Sequence, residues 1–416
     1  MMRKGRSATC AGLVRGDEAP RTPRTRLHYL DWLRALAVLG VFIYHSLQPF
    51  STDDWHVKND RLSEVIGGVI SFADPWGIAF FFLIAGASTF LALRWRSGGQ
   101  YVGERLMRLL VPLVVAYLLL SPLQAFIEAR HFGRYTGSFL AGLPLFFEEV
   151  WSNLRDTVLH PLLIDRTYHL WFVVFLLWFS LLGLPVFLWL RGSVGRRMSA
   201  WLGDRAPRRG WTLLFAIPVA LVSLTVWPVW PDGEDWGLFV YLFGFFVAGH
   251  VLMSDPRLMQ AVRRDVVMAL GLAVAVDAAI VLSGVLSFIE GWQEAPSYSW
   301  MYAWAYFAIG VQAWAWVQFF LGLGMRARSF RRPLPRAVSA AALPFFIVHQ
   351  PVILAIAFFV VRWDAGIAVK WGVIAVSSFV LSAALATGLA RLPILSTMFG
   401  VKRDTSSAGL RSASPA

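Results

Sequence analysis

Read for its apolar and polar positions, the chain breaks into ten runs of about 20 residues that are apolar on every face. They are 32–50, 76–93, 109–127, 169–190, 211–229, 236–252, 266–289, 301–324, 337–361 and 366–390, and polar connectors separate them. A bilayer core is ~30 Å thick and an α-helix rises 1.5 Å per residue, so ~20 apolar residues cross it. Runs that are apolar all round, rather than striped at the 3.6-residue period, predict helices enclosed by lipid and by one another. Pro112, Pro122, Pro185, Pro218, Pro344 and Pro351 fall inside these runs. Membrane helices tolerate such prolines where neighbours take up the freed carbonyls. The predicted fold class is therefore all-α: a polytopic integral membrane protein with about ten transmembrane helices. Its membrane domain covers 27–400, between polar tails at 1–26 and 401–416 expected to be disordered. Within the long connector 128–168, the stretch Phe139 to Trp151 predicts a short amphipathic helix along the membrane surface. Neither an internal repeat nor the inverted symmetry common among transporters is visible.

Composition agrees with this picture. Hydrophobic residues make up 57% of the 416 positions and charged residues 15%, with 20 tryptophans and 32 phenylalanines. A soluble globule of this length has too little interior for so much apolar surface, which excludes an ordinary cytosolic enzyme or a secreted domain. Cys10 is alone, so no internal disulfide or thiolate metal site is expected. The net charge of +13 would suggest nucleic acid in a soluble chain, but here its distribution reports topology instead. With the N-terminus in the cytosol, 30 of the 38 Lys and Arg fall on the cytosolic side. Both termini are thus expected to be cytoplasmic, in the plasma membrane, with no cleavable signal in the first 26 residues. Trp227, Trp230, Trp236, Trp292, Trp300, Trp363 and Trp371 are placed as an outer aromatic belt.

Polar groups at membrane depth are costly and therefore candidates for function. Arg34 and His45 lie 11 residues apart on the first run, on one helix face and ~16 Å apart along the axis. Alone, Arg34 also reads as a snorkelling arginine and His45 as a helix-bridging histidine. The ninth run carries His349 at a depth of ~18 Å, against ~20 Å for His45, so the two sit at one level. His169 and Trp171 open the fourth run, a position that suits an interfacial belt as well as a site. Arg105 and Arg108 leave one face at i and i+3, as a phosphate clamp or as topology-setting cations. Asp277, in the seventh run, reads either as a proton-relay group or as the structural partner of a basic side chain. External Asp53, Asp54 and His56 read as a metal or sugar site or as a solvated loop. No Walker loop, His-Glu-x-x-His, Gly-x-Ser-x-Gly or Gly-x-Gly-x-x-Gly occurs.

Taken together these blocks resemble the acyltransferase-3 family of bacterial integral-membrane acyltransferases. Arg34 followed by His45, within Tyr29-Leu30-Asp31-Trp32-Leu33-Arg34, is similar to the family's Arg-x10-His signature. Phe80-Phe81-Phe82-Leu83-Ile84-Ala85-Gly86 resembles its Phe-Phe-x-x-Ser-Gly stretch, with Ala85 in place of serine. Arg105-Leu106-Met107-Arg108, His169-Leu170-Trp171-Phe172 and Pro344 to Pro351 resemble its later blocks, in order, over about 27–390. Within the family the chain is most similar to the branch containing glucan biosynthesis protein C. The resemblance implies transfer of an acetyl- or succinyl-type group from cytosolic acyl-CoA to a hydroxyl of a carbohydrate or lipid-linked acceptor. It implies His45 as general base, Arg34, Arg105 and Arg108 on the CoA phosphates, and His169, Trp171 and His349 on the acceptor side. Acyl-CoA would be a donor substrate, with no tightly bound cofactor and no metal; the partners would be that donor, the acceptor and membrane lipids, with no nucleic acid. The competing class is a transporter or flippase in which the same polar groups line a substrate or proton path.

Overall fold

The computed structural model describes residues 27–159, 168–226, 234–284 and 299–401. The tail 1–26, all but Val401 of the tail 401–416, and Trp227, Trp230 and Trp292 of the predicted belt lie outside these residues.

The described residues are helical and contain no strand. In chain order they form α1 (His28–Leu47), α2 (Glu64–Leu93), α3 (Gly98–Arg105), α4 (Val111–His131), α5 (Phe139–Leu159), α6 (Trp171–Leu190), α7 (Ser193–Arg205) and α8 (Ala216–Val226). After them come α9 (Glu234–Ser254), α10 (Pro256–Arg264), α11 (Val266–Ser283), α12 (Trp300–Arg326), α13 (Arg336–Val360), α14 (Ile367–Arg391) and α15 (Pro393–Met398). Among the described residues nine helical segments are long and apolar enough to cross a membrane. The tenth predicted run, 211–229, is described only to Val226, and it begins as a 3₁₀ turn over Trp211–Phe215 before α8. A 3₁₀ turn rises ~2.0 Å per residue, so even these residues extend ~26 Å. They run antiparallel to α12. Trp314 donates its indole N–H to Thr212 O at one end (2.8 Å), and Tyr302 donates its hydroxyl to Leu224 O at the other (3.0 Å).

Three helices differ from the apolar runs in ways that matter below. Predicted from residue 76, α2 begins instead at Glu64, where the Ser63 hydroxyl accepts from Ile66 N–H as an N-cap. Between α3 and α4, Leu106–Leu110 forms a π turn closed by Val111 N–H on Leu106 O. Pro112 follows at once and has no N–H to close an α turn on Arg108, which explains the wider ring. The predicted surface helix is present as α5, and it continues past Trp151 to Leu159. Of the belt tryptophans, Trp236, Trp300 and Trp363 are exposed, whereas Trp371 turns inward and donates to Ser46 Oγ (3.1 Å).

The largest interhelix contact joins α2 to α9, followed by α13 with α14. At the end opposite the arginines, residues 51–63 are stitched together by charge. Lys58 Nζ donates to Gln48 O, Ser51 O and Asp53 O, and the buried Lys370 Nζ donates to Asn59 Oδ1 and Val361 O. Burial pulls the Lys58 ammonium below its ordinary pKa, while Asp53 and Asp54 push it back up.

Candidate active site

Three histidines from distant parts of the chain meet in the bundle. His45 is on the last turn of α1, His349 lies between Pro344 and Pro351 in α13, and His169 sits in the 3₁₀ turn leading into α6. The His45 and His349 ring centroids are 5.1 Å apart, those of His169 and His349 5.1 Å, and those of His45 and His169 6.3 Å. His349 and His169 are sealed, at 1% and 3% exposure, whereas His45 is only half-buried.

The hydrogen bonds set an order of donors. His349 Nδ1 lies 2.5 Å from Phe346 O, and a carbonyl can only accept, so that nitrogen carries its proton. In the neutral ring Nε2 is then an acceptor, and His45 Nδ1–H donates to it across 2.8 Å. His45 Nε2 is left with its lone pair. His169 is held by a different device. Pro351 has no N–H for the carbonyl four residues back, so Ile347 O is released from the α13 ladder. His169 Nε2–H takes that oxygen at 2.9 Å, and its buried Nδ1 has no partner among the described residues. Tyr168, beside it, holds φ at +50°, which is unusual for an aromatic residue. Such strain costs about 1–3 kcal/mol and concentrates at functional sites.

Some 16 Å along α1, the arginines converge on consecutive residues of α2. Arg34 Nη2 donates to Ser88 Oγ (2.7 Å), and its Nη1 lies 3.4 Å from Asp31 Oδ1. Arg105 Nη2 donates to Thr89 Oγ1 (3.3 Å), and its guanidinium lies over the Tyr101 ring at 4.9 Å. Arg108 stands in the π turn, within the field of Arg105, Glu104, Arg34 and Arg96. Glu104 pairs with Arg96 at 2.6 Å, so the shelf retains an excess of positive charge suited to a polyanion.

The structure thus joins His45, His169 and His349 in one cluster, and Arg34, Arg105 and Arg108 in another. Trp171 stands apart: its ring partner is Phe175, edge-on at 5.4 Å. His56 turns to Glu128 rather than to Asp53 or Asp54, with Nδ1 2.6 Å from Oε2. Asp277 proves to be a helix clamp. Its carboxylate accepts from Gln312 Nε2 (2.6 Å) and Trp316 Nε1 (3.0 Å), and these are an amide and an indole rather than the basic partner considered from sequence. Asp277→Asn is therefore expected to leave turnover within about twofold while lowering stability by ~1–2 kcal/mol, from one weakened charge-assisted bond. A loss of turnover with intact stability would revive a proton-relay role; thermal unfolding and turnover, measured side by side, decide it. One intramembrane carboxylate was missed from sequence. Asp74 lies well inside α2, within electrostatic reach of Tyr44, the neighbour of His45. The Ser63-Glu64 helix start was the signal for it.

A polytopic α-helical membrane protein with a buried histidine cluster above an arginine shelf is what the fold and site define. The family model described as an acyltransferase domain, acyltransferase-3, matches residues 27–391. The chain belongs to that family and is a multi-pass membrane acyltransferase. No curated protein and no solved structure matches the chain.

Proposed function

We propose that the protein is an O-acyltransferase that moves an acetyl- or succinyl-type group from cytosolic acyl-CoA to a hydroxyl of a carbohydrate or lipid-linked acceptor. The plasma membrane is its proposed location, with the arginine shelf on the cytosolic face, where CoA esters are made. The observation that carries this reading is the donor order in the histidine cluster, which leaves the half-buried His45 Nε2 as the free base. Arg34, Arg105 and Arg108 hold the CoA phosphates, and the thin pantetheine arm covers the distance from the Arg34 level to His45. The acceptor oxygen attacks the thioester carbonyl carbon while its proton passes to His45 Nε2. Collapse of the tetrahedral adduct breaks the C–S bond, and the proton on His45 goes to the departing sulfur. His349 keeps His45 in the productive tautomer, and His169 completes the acceptor side, with Trp171, outside the histidine cluster, lining the acceptor's approach. Acyl-CoA is consumed as a substrate, and the mechanism uses no resident cofactor. Resemblance to the branch containing glucan biosynthesis protein C supports a succinyl group and a glycan acceptor.

Free-CoA release from acetyl-CoA and from succinyl-CoA, in membranes with and without envelope extract, tests the reading and identifies the acyl group. Arg105→Ala and Arg108→Ala are each expected to raise the apparent KM for acyl-CoA about tenfold with kcat within a few-fold. That is the scale of one lost charge-assisted contact to phosphate. An unchanged KM in both would remove the phosphate role from this shelf.

A further inference from the structure

The half-buried His45 opens toward a cluster of rings at the end of the bundle opposite the arginines. Trp55 lies nearly parallel to the His45 imidazole, at 14° and 6.5 Å between centroids. His56 follows, with its ring 4.8 Å from Tyr168. Trp55, His56 and Tyr168 are all partly exposed. The His56 ring is fixed from behind: its Nδ1–H donates to Glu128 Oε2, and Arg134 Nη2 donates to Glu128 Oε1 at 2.5 Å, so both carboxylate oxygens are taken. Among the described residues none bonds to Trp55 Nε1, His56 Nε2 or Tyr168 Oη. The cluster thus presents one donor, one acceptor and one hydroxyl that can be either, set among aromatic faces.

We propose that Trp55, His56 and Tyr168 form a subsite for a neutral sugar ring, which holds the acceptor hydroxyl against His45. The inference deepens the acyltransferase reading above and rests on His45 being its base. A pyranose offers C–H faces to aromatic planes and hydroxyls at its edge to mixed donors and acceptors, which is the inventory present here. A bare acyl chain would leave three polar atoms unpaired at a loss. A phosphate headgroup would need free cations, and two near the cluster among the described residues, Arg134 and Lys58, are already engaged. Arg134 is bound to Glu128, and Lys58 Nζ is bound to three carbonyls. The opposite end of the molecule, with its surplus of arginines, has the contrary character.

The test is a binding measurement without any acyl donor. Full-length protein in lipid nanodiscs is titrated with neutral glucose tetrasaccharides of different linkage and followed by saturation-transfer NMR and calorimetry. Wild type is expected to bind at least one saturably. Trp55→Ala should weaken that binding about tenfold, the scale of one lost aromatic contact, and Trp55→Phe should restore it to within about threefold. Tyr168→Phe, which removes only the hydroxyl, should weaken binding a few-fold, and it carries the test should Trp55→Ala not yield monodisperse protein. Absence of saturable binding to every tetrasaccharide, wild-type affinity in both Trp55→Ala and Tyr168→Phe, or binding of glycerol phosphate in preference to the sugars overturns the subsite. Failure of the acyltransferase mechanism would show elsewhere, as undiminished CoA release in His45→Ala, so the two failures are read in separate assays.

Discussion

His45→Ala is expected to lower acceptor-dependent CoA release by ~10²–10⁴-fold at unchanged protein level, the range over which a positioned general base contributes. The apparent affinity for acyl-CoA should stay within a few-fold of wild type, because the arginine shelf lies ~16 Å away along α1. The same logic separates two substitutions at His349. Glutamine can still present an oxygen to His45 Nδ1–H, whereas phenylalanine cannot. Accordingly His349→Phe should lose ~10–100-fold in kcat, and His349→Gln should recover much of it, with KM for acyl-CoA steady in both. A purely structural His349 would instead show equal losses that follow thermal stability. Full activity in His45→Ala would end the mechanism outright.

How these residues come together was partly legible in the chain. Counting helix rise from the cytosolic ends put His45 and His349 at one depth, and they meet at 2.8 Å. Apolar runs report span and depth well because a bilayer imposes both. Which helix faces which is a different matter, since runs apolar all round carry no facing stripe. The recruitment of His169 illustrates this. On composition His169-Leu170-Trp171 reads as interfacial belt, and only the carbonyl released by Pro351, 182 positions away in the chain, draws the histidine inward. Residues 51–63 hid their content for another reason. A short polar connector has no periodicity, so nothing in it announces that Trp55 stacks on His45 or that His56 binds Glu128. The Arg-x-x-Arg pair was expected on one α-helical face, whereas Arg108 stands in a π turn created by Pro112. For His169 and for Arg108 the redirecting element is a proline, which withholds an N–H from the helix ladder.

Gly86→Ala should destabilise the fold sharply and Gly86→Leu should remove folded protein almost entirely, and the reason lies in a backbone-to-backbone helix crossing. A Cβ on Gly86 would fall 1.8 Å from Phe246 O, and one on Gly249 would fall 2.0 Å from Leu83 O. Both obstacles are backbone, so no rotamer change relieves them, and α2 and α9 would have to move apart along their largest interface. Membrane helices gain little from hydrophobic burial against each other and depend on such close approach. Gly86→Ala and Gly249→Ala are each expected to cost about 3 kcal/mol, at the upper end of overpacking penalties, and Gly86→Leu to abolish monodisperse protein on size exclusion. Gly77→Ala in the same helix supplies the control, because its Cβ meets nothing within 4 Å; it should be neutral or gain up to ~1 kcal/mol in helix propensity. The crossing also bears on chemistry. Ser88 and Thr89, which receive Arg34 and Arg105, follow Gly86 by less than one turn. Any Gly86→Ala protein that survives should therefore show a raised KM for acyl-CoA, whereas Gly249→Ala, on the helix without those hydroxyls, should show a smaller rise. Equal stability of Gly86→Ala and Gly77→Ala would mean that α2 and α9 are not packed backbone to backbone, and the placement of the arginine shelf would fall with that contact.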